Sequence, residues 1–298
     1  MCRQHSLPEM TRRNFLPLLA GVVALALLLS VVLCAVWVRT VHYTVALEGV
    51  TTPVYAVILS DLHGREFGES NARLIRKIAV EAPDVIFLVG DLLDGTAETE
   101  DVSRLLELIS SLNALAPVYF APGNHELKYM ERDETLLTRV ASAGAVVVND
   151  SFVDTEIAGQ PLRIGGTMGH AFPFGRTMEV YQASPEYQFL TAFQQTDTPT
   201  ICLAHMPDTF IFNGAYQAWR VDLVLSGHTH GGLVRLPLIG GLYAPMQGFF
   251  PPYDRGLFSL GEQMQLLLTS GLAGYGWIPR VNNPPEIVVA DLIPKTDS

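Results

Sequence analysis

Five short clusters of histidine and acidic residues punctuate this chain. They are Asp61-Leu62-His63; Gly90-Asp91-Leu92-Leu93-Asp94; Gly123-Asn124-His125-Glu126; His205 within Leu203-Ala204-His205-Met206-Pro207; and Gly227-His228-Thr229-His230-Gly231-Gly232. Imidazole, carboxylate and one carboxamide are donors suited to divalent Mn, Fe or Zn, and the lack of cysteine among them argues against a thiolate-type structural zinc site. His228 and His230, two apart on extended backbone, point the same way, and the flanking glycines let a backbone approach closely. Taken singly, each cluster also has a plain reading: a turn, a capping aspartate, a loop, a core histidine. Together those readings fail, because His63, His125, His205, His228 and His230, out of eight histidines, each fall just after a strand-like run.

The elements that must position these clusters are legible as apolar runs. Val54–Ser60, Val85–Val89, Val118–Ala121, Ala145–Val148, Leu162–Ile164, Thr200–Ala204, Leu223–Leu225, Leu257–Leu260, Gln265–Leu268 and Glu286–Ala290 read as strands. Helical spacing runs through Ser70–Glu81, Val102–Leu115 and Leu136–Ala143. Strand and helix alternate in the first half, which implies parallel pairing with helical crossovers. Strands dominate the second half. An α/β fold of two stacked mixed sheets with helices outside accommodates both, and ligands in such sheets collect at the carboxyl ends of strands, where all five clusters lie.

The ordered set of motifs resembles the calcineurin-like metallophosphoesterases over residues 51–292. The resemblance implies a four-layer sandwich, two mixed sheets flanked by helices, around a centre of two divalent metal ions. It would place Asp61, His63 and His230 on one ion, Asn124, His205 and His228 on the other, and Asp91 between them. A hydroxide bridging the ions would attack a phosphodiester, with His125 beside the phosphate and Asp94 orienting it. The stretches Gly271–Arg280 and Asn283–Val288 are similar to the membrane-anchored phosphodiesterase branch. Some of its members are twin-arginine exported, and others act on a UDP-2,3-diacylglucosamine intermediate of lipid A synthesis. Many relatives carry an acidic pair after the glycines that correspond to Gly165-Gly166. This chain has Thr167-Met168-Gly169-His170 instead, which leaves His170 as a substrate contact or a loop residue.

Composition bounds the partners. Net charge is −11 over 298 residues, with no basic run in the globular part to neutralise a nucleic-acid backbone, so nucleic acid is not expected. The uncharged run Phe15–Val38 is long enough, at about 1.5 Å per residue, to cross a bilayer core of about 30 Å. Arg3, Arg12 and Arg13 before it and Arg39 after it orient residues 1–14 to the cytoplasm and the catalytic part outside. Thr11–Leu16 doubles as a twin-arginine-like signal, and the absence of an A-x-A site favours an uncleaved single-pass anchor. The expected organisation is thus an anchor at 15–38, a linker and lead-in strand at 39–52 and a catalytic domain at 53–298, acting on a phosphoester that a lipid could carry. Tyr243, Phe249, Phe250 and Tyr253 in the loop Gly241–Gly256, with Trp277 nearby, either pack beneath long loops or form an apolar rim that meets the bilayer.

Overall fold

The computed structural model describes residues 12–274, 276 and 278–295. Trp277, Arg3 and Thr11 lie outside the described residues. Helix α1 (Arg12–Val36) leads into strand β1 (Arg39–Leu47), β2 (Val54–Leu59), α2 (Ala72–Glu81), β3 (Val85–Val89), α3 (Thr99–Asn113), β4 (Val118–Ala121), α4 (Asn124–Met130), α5 (Leu136–Ser142) and β5 (Ala145–Val147). The second half holds β6 (Ser151–Ile157), β7 (Gln160–Gly166), α6 (Met178–Gln182), α7 (Pro185–Phe193), β8 (Thr200–Leu203), α8 (Asp208–Ile211), α9 (Ala215–Ala218) and β9 (Leu223–Ser226). Two small hairpins follow, β10 (Arg235–Leu236) with β11 (Gly240–Gly241) and β12 (Tyr243–Ala244) with β13 (Gly248–Phe249). The chain closes with β14 (Gly256–Leu260), β15 (Met264–Leu268) and β16 (Glu286–Pro294).

The long strands form two six-stranded mixed sheets, ordered β1-β16-β2-β3-β4-β5 and β14-β15-β9-β8-β7-β6. Strands β2 to β5 run parallel, as the alternation of strands and helices requires, and so do β7, β8 and β9. Alternation along each strand sorts side chains into layers. In β3, Val85, Phe87 and Val89 face the second sheet and join Ile201, Leu203, Leu223 and Leu225. Ile86 and Leu88 face the other way, onto Ile78, Leu105, Ile109 and Leu112 of α2 and α3. On the far side, Cys202, Val224 and Leu266 pack on Phe189 and Phe193 of α7. The order is helix, sheet, sheet, helix, as the α/β reading expects.

Residues 39–52 hold more than a lead-in. All nine residues of β1 pair in parallel with β16, from Arg39 opposite Glu286 to Leu47 opposite Pro294. The first sheet therefore begins within three residues of α1. The last turn of α1 is capped by arginines: Arg65 donates to the Ala35 carbonyl and Arg73 to the Val36 carbonyl, cations placed at the negative end of the helix dipole.

Candidate metal centre

Each of the motifs leaves a strand at its carboxyl end, and there the backbone turns sharply. Asp61, His63, Asp91, His228 and His230 all have φ between 47° and 68°, a left-handed region that non-glycine residues avoid at a cost of order 1–3 kcal/mol each. Strain concentrated on the side chains that form one cluster is what a binding centre requires and a stability element does not. Glycines supply the clearance. A Cβ on Gly123 would stand 2.2 Å from Asp91 Oδ1, and one on Gly227 would stand 2.0 Å from Ser60 Oγ.

The side chains converge in three overlapping groups: Asp61, His63 and His230; His63, Asp91 and His125; and Asp91, His205 and His228, the ligand atoms of each lying within 4.8 Å of one another. Asp91 and His63 are shared between groups. His205 Nε2 is 3.0 Å from Asp91 Oδ2 and 4.0 Å from Asp61 Oδ1, and His230 Nε2 is 3.5 Å from Asp61 Oδ1. The His63 and His230 rings stack at 5.3 Å.

Backbone carbonyls select which imidazole nitrogen faces inward. His205 Nδ1 is 2.8 Å from the Val89 carbonyl, and His230 Nδ1 is 3.1 Å from the Ala273 carbonyl. Each ring then donates through Nδ1 and presents Nε2 to the centre, the usual way a neighbouring carbonyl fixes a metal-binding imidazole. Arg280, itself buried, also donates to the Ala273 carbonyl and so steadies the same acceptor. Asp61 accepts from the His228 amide at 3.1 Å, and its Oδ2 lies 2.7 Å from Ser60 Oγ.

These groups fit divalent cations. Both ring nitrogens of His63 and the Asn124 carboxamide oxygen are buried with no hydrogen-bond partner among the described residues, a condition buried polar atoms rarely keep unless an ion or water completes them. Burial holds His63 and His228 down to about 4, and burial with the nearby Arg280 charge holds His230 at about 3. These three rings are therefore uncharged at neutral pH. Burial would lower His205 too, but the Asp91 carboxylate outweighs it and raises the ring to about 10, while His205 and His63 hold Asp91 well below its usual range against the cost of its own burial. A divalent cation held by these carboxylates and rings would take over the role of that proton as the positive charge.

His125 stands at the edge, its Nε2 4.0 Å from Asp91 Oδ2 and its ring 4.6 Å from that of His63. Here the expected roles shift. Asp94, read as the group that orients His125, has its carboxylate 3.7 Å from Nδ1 and accepts from Thr96 instead. The hydrogen bond to Nδ1 comes from the Gly95 amide, at 3.0 Å. An acceptor Nδ1 leaves the proton of a neutral ring on Nε2, facing the centre.

The motifs also contained a residue whose role sequence reasoning did not assign. Glu126 is fully buried, and its carboxylate accepts from four backbone amides: Asp91 and Gly123 on Oε2, Leu92 and Leu93 on Oε1, all between 2.7 and 2.9 Å. Burial and the Asp91 charge push its carboxyl upward, and the amide donors pull it back toward the charged form. The signal for it was present, since a glutamate three residues after a helix-capping position commonly reaches back to that residue's amide. His170 is not brought to the centre. Its ring packs 5.2 Å from Phe172 and 4.4 Å from Phe174.

Curated relatives share much of this chain. A protein named "Uncharacterized metallophosphoesterase Cj0846" from Campylobacter jejuni is 31% identical over 79% of this chain and 58% of its own length. Phosphodiesterase YaeI of Escherichia coli is 27% identical over 86% of this chain and 89% of its own. A zebrafish "Transmembrane protein with metallophosphoesterase domain" is 30% identical over 78% of this chain and 51% of its own. The chain thus spans under two thirds of the length of the Campylobacter relative. The family model for calcineurin-like phosphoesterases matches residues 55–232, a stretch that begins in β2 and ends just after His230, and so takes in all the clustered side chains; the chain belongs to the calcineurin-like phosphoesterase family.

Proposed function

We propose that this chain is a phosphodiesterase that works with two divalent ions (Mn, Fe or Zn), held to a membrane by α1 with its catalytic domain on the extracytoplasmic side. The observation that carries the catalytic part is the chain of three ligand groups linked through His63 and Asp91, with the Nε2 of His125 beside them. Asp61, His63 and His230 would hold one ion, and Asn124, His205 and His228 the other, with Asp91 between. Divalent ions bound there lower the pKa of a water and neutralise phosphate oxygens. The chain's own part is to keep His63, His228 and His230 deprotonated, to fix Asp91 through Glu126, and to aim the His125 proton at the leaving oxygen. Support for the anchor comes from Pro17–Val36, twenty residues long, apolar and almost wholly exposed along its sides, and from the printed name of the zebrafish relative.

The test uses the full chain in detergent micelles, because β1 and the end of α1 are built into the domain. Hydrolysis of bis(p-nitrophenyl) phosphate and of p-nitrophenyl phosphate is compared with Mn²⁺, with chelator, and in Asp91→Asn. Metal-dependent cleavage of the diester, lost in the variant, is expected. A preference for the monoester would replace phosphodiesterase with phosphatase, and failure to bind metal would overturn the proposal.

A further inference from the structure

Beyond the anchor helix, the structure carries a second membrane-facing feature, and its parts sort by depth. The end of α1 is hydrogen-bonded into the domain at two levels. At Val36 it meets Arg73. Six residues earlier, about 9 Å back along the helix at about 1.5 Å per residue, Ser30 Oγ accepts from the Asn282 amide at 2.7 Å. Asn282 in turn donates to the Arg235 carbonyl at 3.1 Å, and Arg235 pairs with Gly241 at the base of the β10–β11 hairpin.

The tip of that hairpin is Leu238-Ile239. Leu238 is wholly exposed, Ile239 is 64% exposed, and on the adjoining hairpin Phe249 is 71% and Phe250 56% exposed. Tyr253, by contrast, packs on Phe258 at 5.1 Å. Large apolar side chains presented to water by successive hairpins usually mark an interface. At the level of the helix end, Trp37, Arg73, Arg76, Lys77 and Val80 line a groove of about 420 Å³. The groove's one acid, Glu81, is taken up by His42 at 3.3 Å. In a chain of net charge −11, three cations beside an exposed tryptophan at a helix exit match what the headgroup layer selects.

We propose that this side of the domain is a bilayer-docking face: the Leu238–Ile239 tip and the exposed Phe249–Phe250 pair enter the acyl region, and Arg73, Arg76 and Lys77 bind the phosphates of anionic lipids in the same leaflet. The inference rests on α1 spanning the membrane. It also orients the centre, because Asn283, next to Asn282, donates to the His230 carbonyl at 2.7 Å. The loop that carries a metal ligand is thereby tied to the element that touches lipid.

The test places an environment-sensitive nitrobenzoxadiazole label on Ile239→Cys or Glu48→Cys in the full chain with Cys2→Ser; Cys34 and Cys202 are buried. Glu48 follows the far end of β1, roughly 30 Å from Arg39 at about 3.3 Å per residue. Each protein is reconstituted into nanodiscs of phosphatidylcholine with and without phosphatidylglycerol, and carbonate extraction is run in parallel on labelled liposomes. Label 239 is expected to brighten severalfold and to be quenched by acyl-chain spin labels, while label 48 does neither. Phosphatidylglycerol co-purifying with the chain is expected to fall severalfold in Arg76→Glu/Lys77→Glu. A chain retained after carbonate whose two labels behave alike refutes the docking face alone. An unchanged lipid yield refutes the phosphate-binding groove. A chain extracted by carbonate refutes the anchor and the docking face with it.

Discussion

Glu126 is where a small chemical change has the largest consequence outside the ligands themselves. Its two carboxylate oxygens satisfy four buried amides, two on each oxygen. Glu126→Gln keeps one acceptor oxygen and turns the other into an NH2 group that points protons at two amide protons. Each buried amide left without an acceptor costs about 1–3 kcal/mol, so two cost roughly 2–6 kcal/mol. Removal of a negative charge beside Asp91 offsets part of that, for a net loss of about 2–4 kcal/mol. For a domain of this size about 1 kcal/mol moves Tm by about 2–4 °C, which predicts a fall on the order of 5–15 °C. Because the Asp91 loop loses either the Asp91 and Gly123 bonds or the Leu92 and Leu93 bonds, Mn²⁺ affinity should also fall by about 10–100-fold, as it does when residues behind metal ligands are changed. The assays are thermal unfolding of the metal-free chain and Mn²⁺ titration by calorimetry. A Gln variant with unchanged Tm and unchanged affinity would refute the assignment of Glu126 as the clamp on the Asp91 loop.

Other outcomes follow from the same geometry. His125→Ala should lower kcat by roughly 10²–10⁴ while metal content is retained, whereas Asp94→Asn should lower it less than tenfold, because the Gly95 amide and not Asp94 bonds Nδ1; equal losses in the two variants would contradict this. Gly123→Ala should abolish metal binding, since its Cβ would stand 2.2 Å from Asp91 Oδ1, and normal Mn²⁺ uptake would show that the loop yields. Asp208 is buried, its oxygens have no partner beyond its own amide among the described residues, and burial raises it from 3.8 to about 6. The raised pKa means the fold favours the neutral acid, so stability is full below about pH 4 and is lost as pH rises through about 6, by at most about 3 kcal/mol. Asp208→Asn should therefore raise Tm at pH 8 and leave it unchanged at pH 4; a gain of equal size at both would discount the ionisation.

The sequence made the buried strands visible because runs such as Val85–Val89 are apolar on both faces and end at chemistry-bearing residues. It was silent where faces are exposed. Strand β6, Ser151–Ile157, lies at a sheet edge with mostly partly exposed residues, so polar residues mask its pattern. In α7 the apolar face, Phe189, Leu190 and Phe193, spans little more than one turn, too short a pattern to stand out beside the Ser184 cap. Strand β1 read as a lead-in because its partner, β16, lies at the other end of the chain. Clusters of ligand-type residues announced themselves by type and order, since few other arrangements explain so many histidines after strands. What spacing did not show was the support behind them: the Gly95 amide at His125, the carbonyls of Val89 and Ala273, and the buried Arg280. Those depend on backbone atoms and long-range packing.

Anomalous scattering from crystals of the chain soaked in Mn²⁺ would count the ions and place them. Two peaks roughly 3.5–4 Å apart, one beside Asp61, His63 and His230 and one beside Asn124, His205 and His228, with Asp91 touching both, are predicted. A single peak, or none within reach of Asp91, would contradict a centre of two ions.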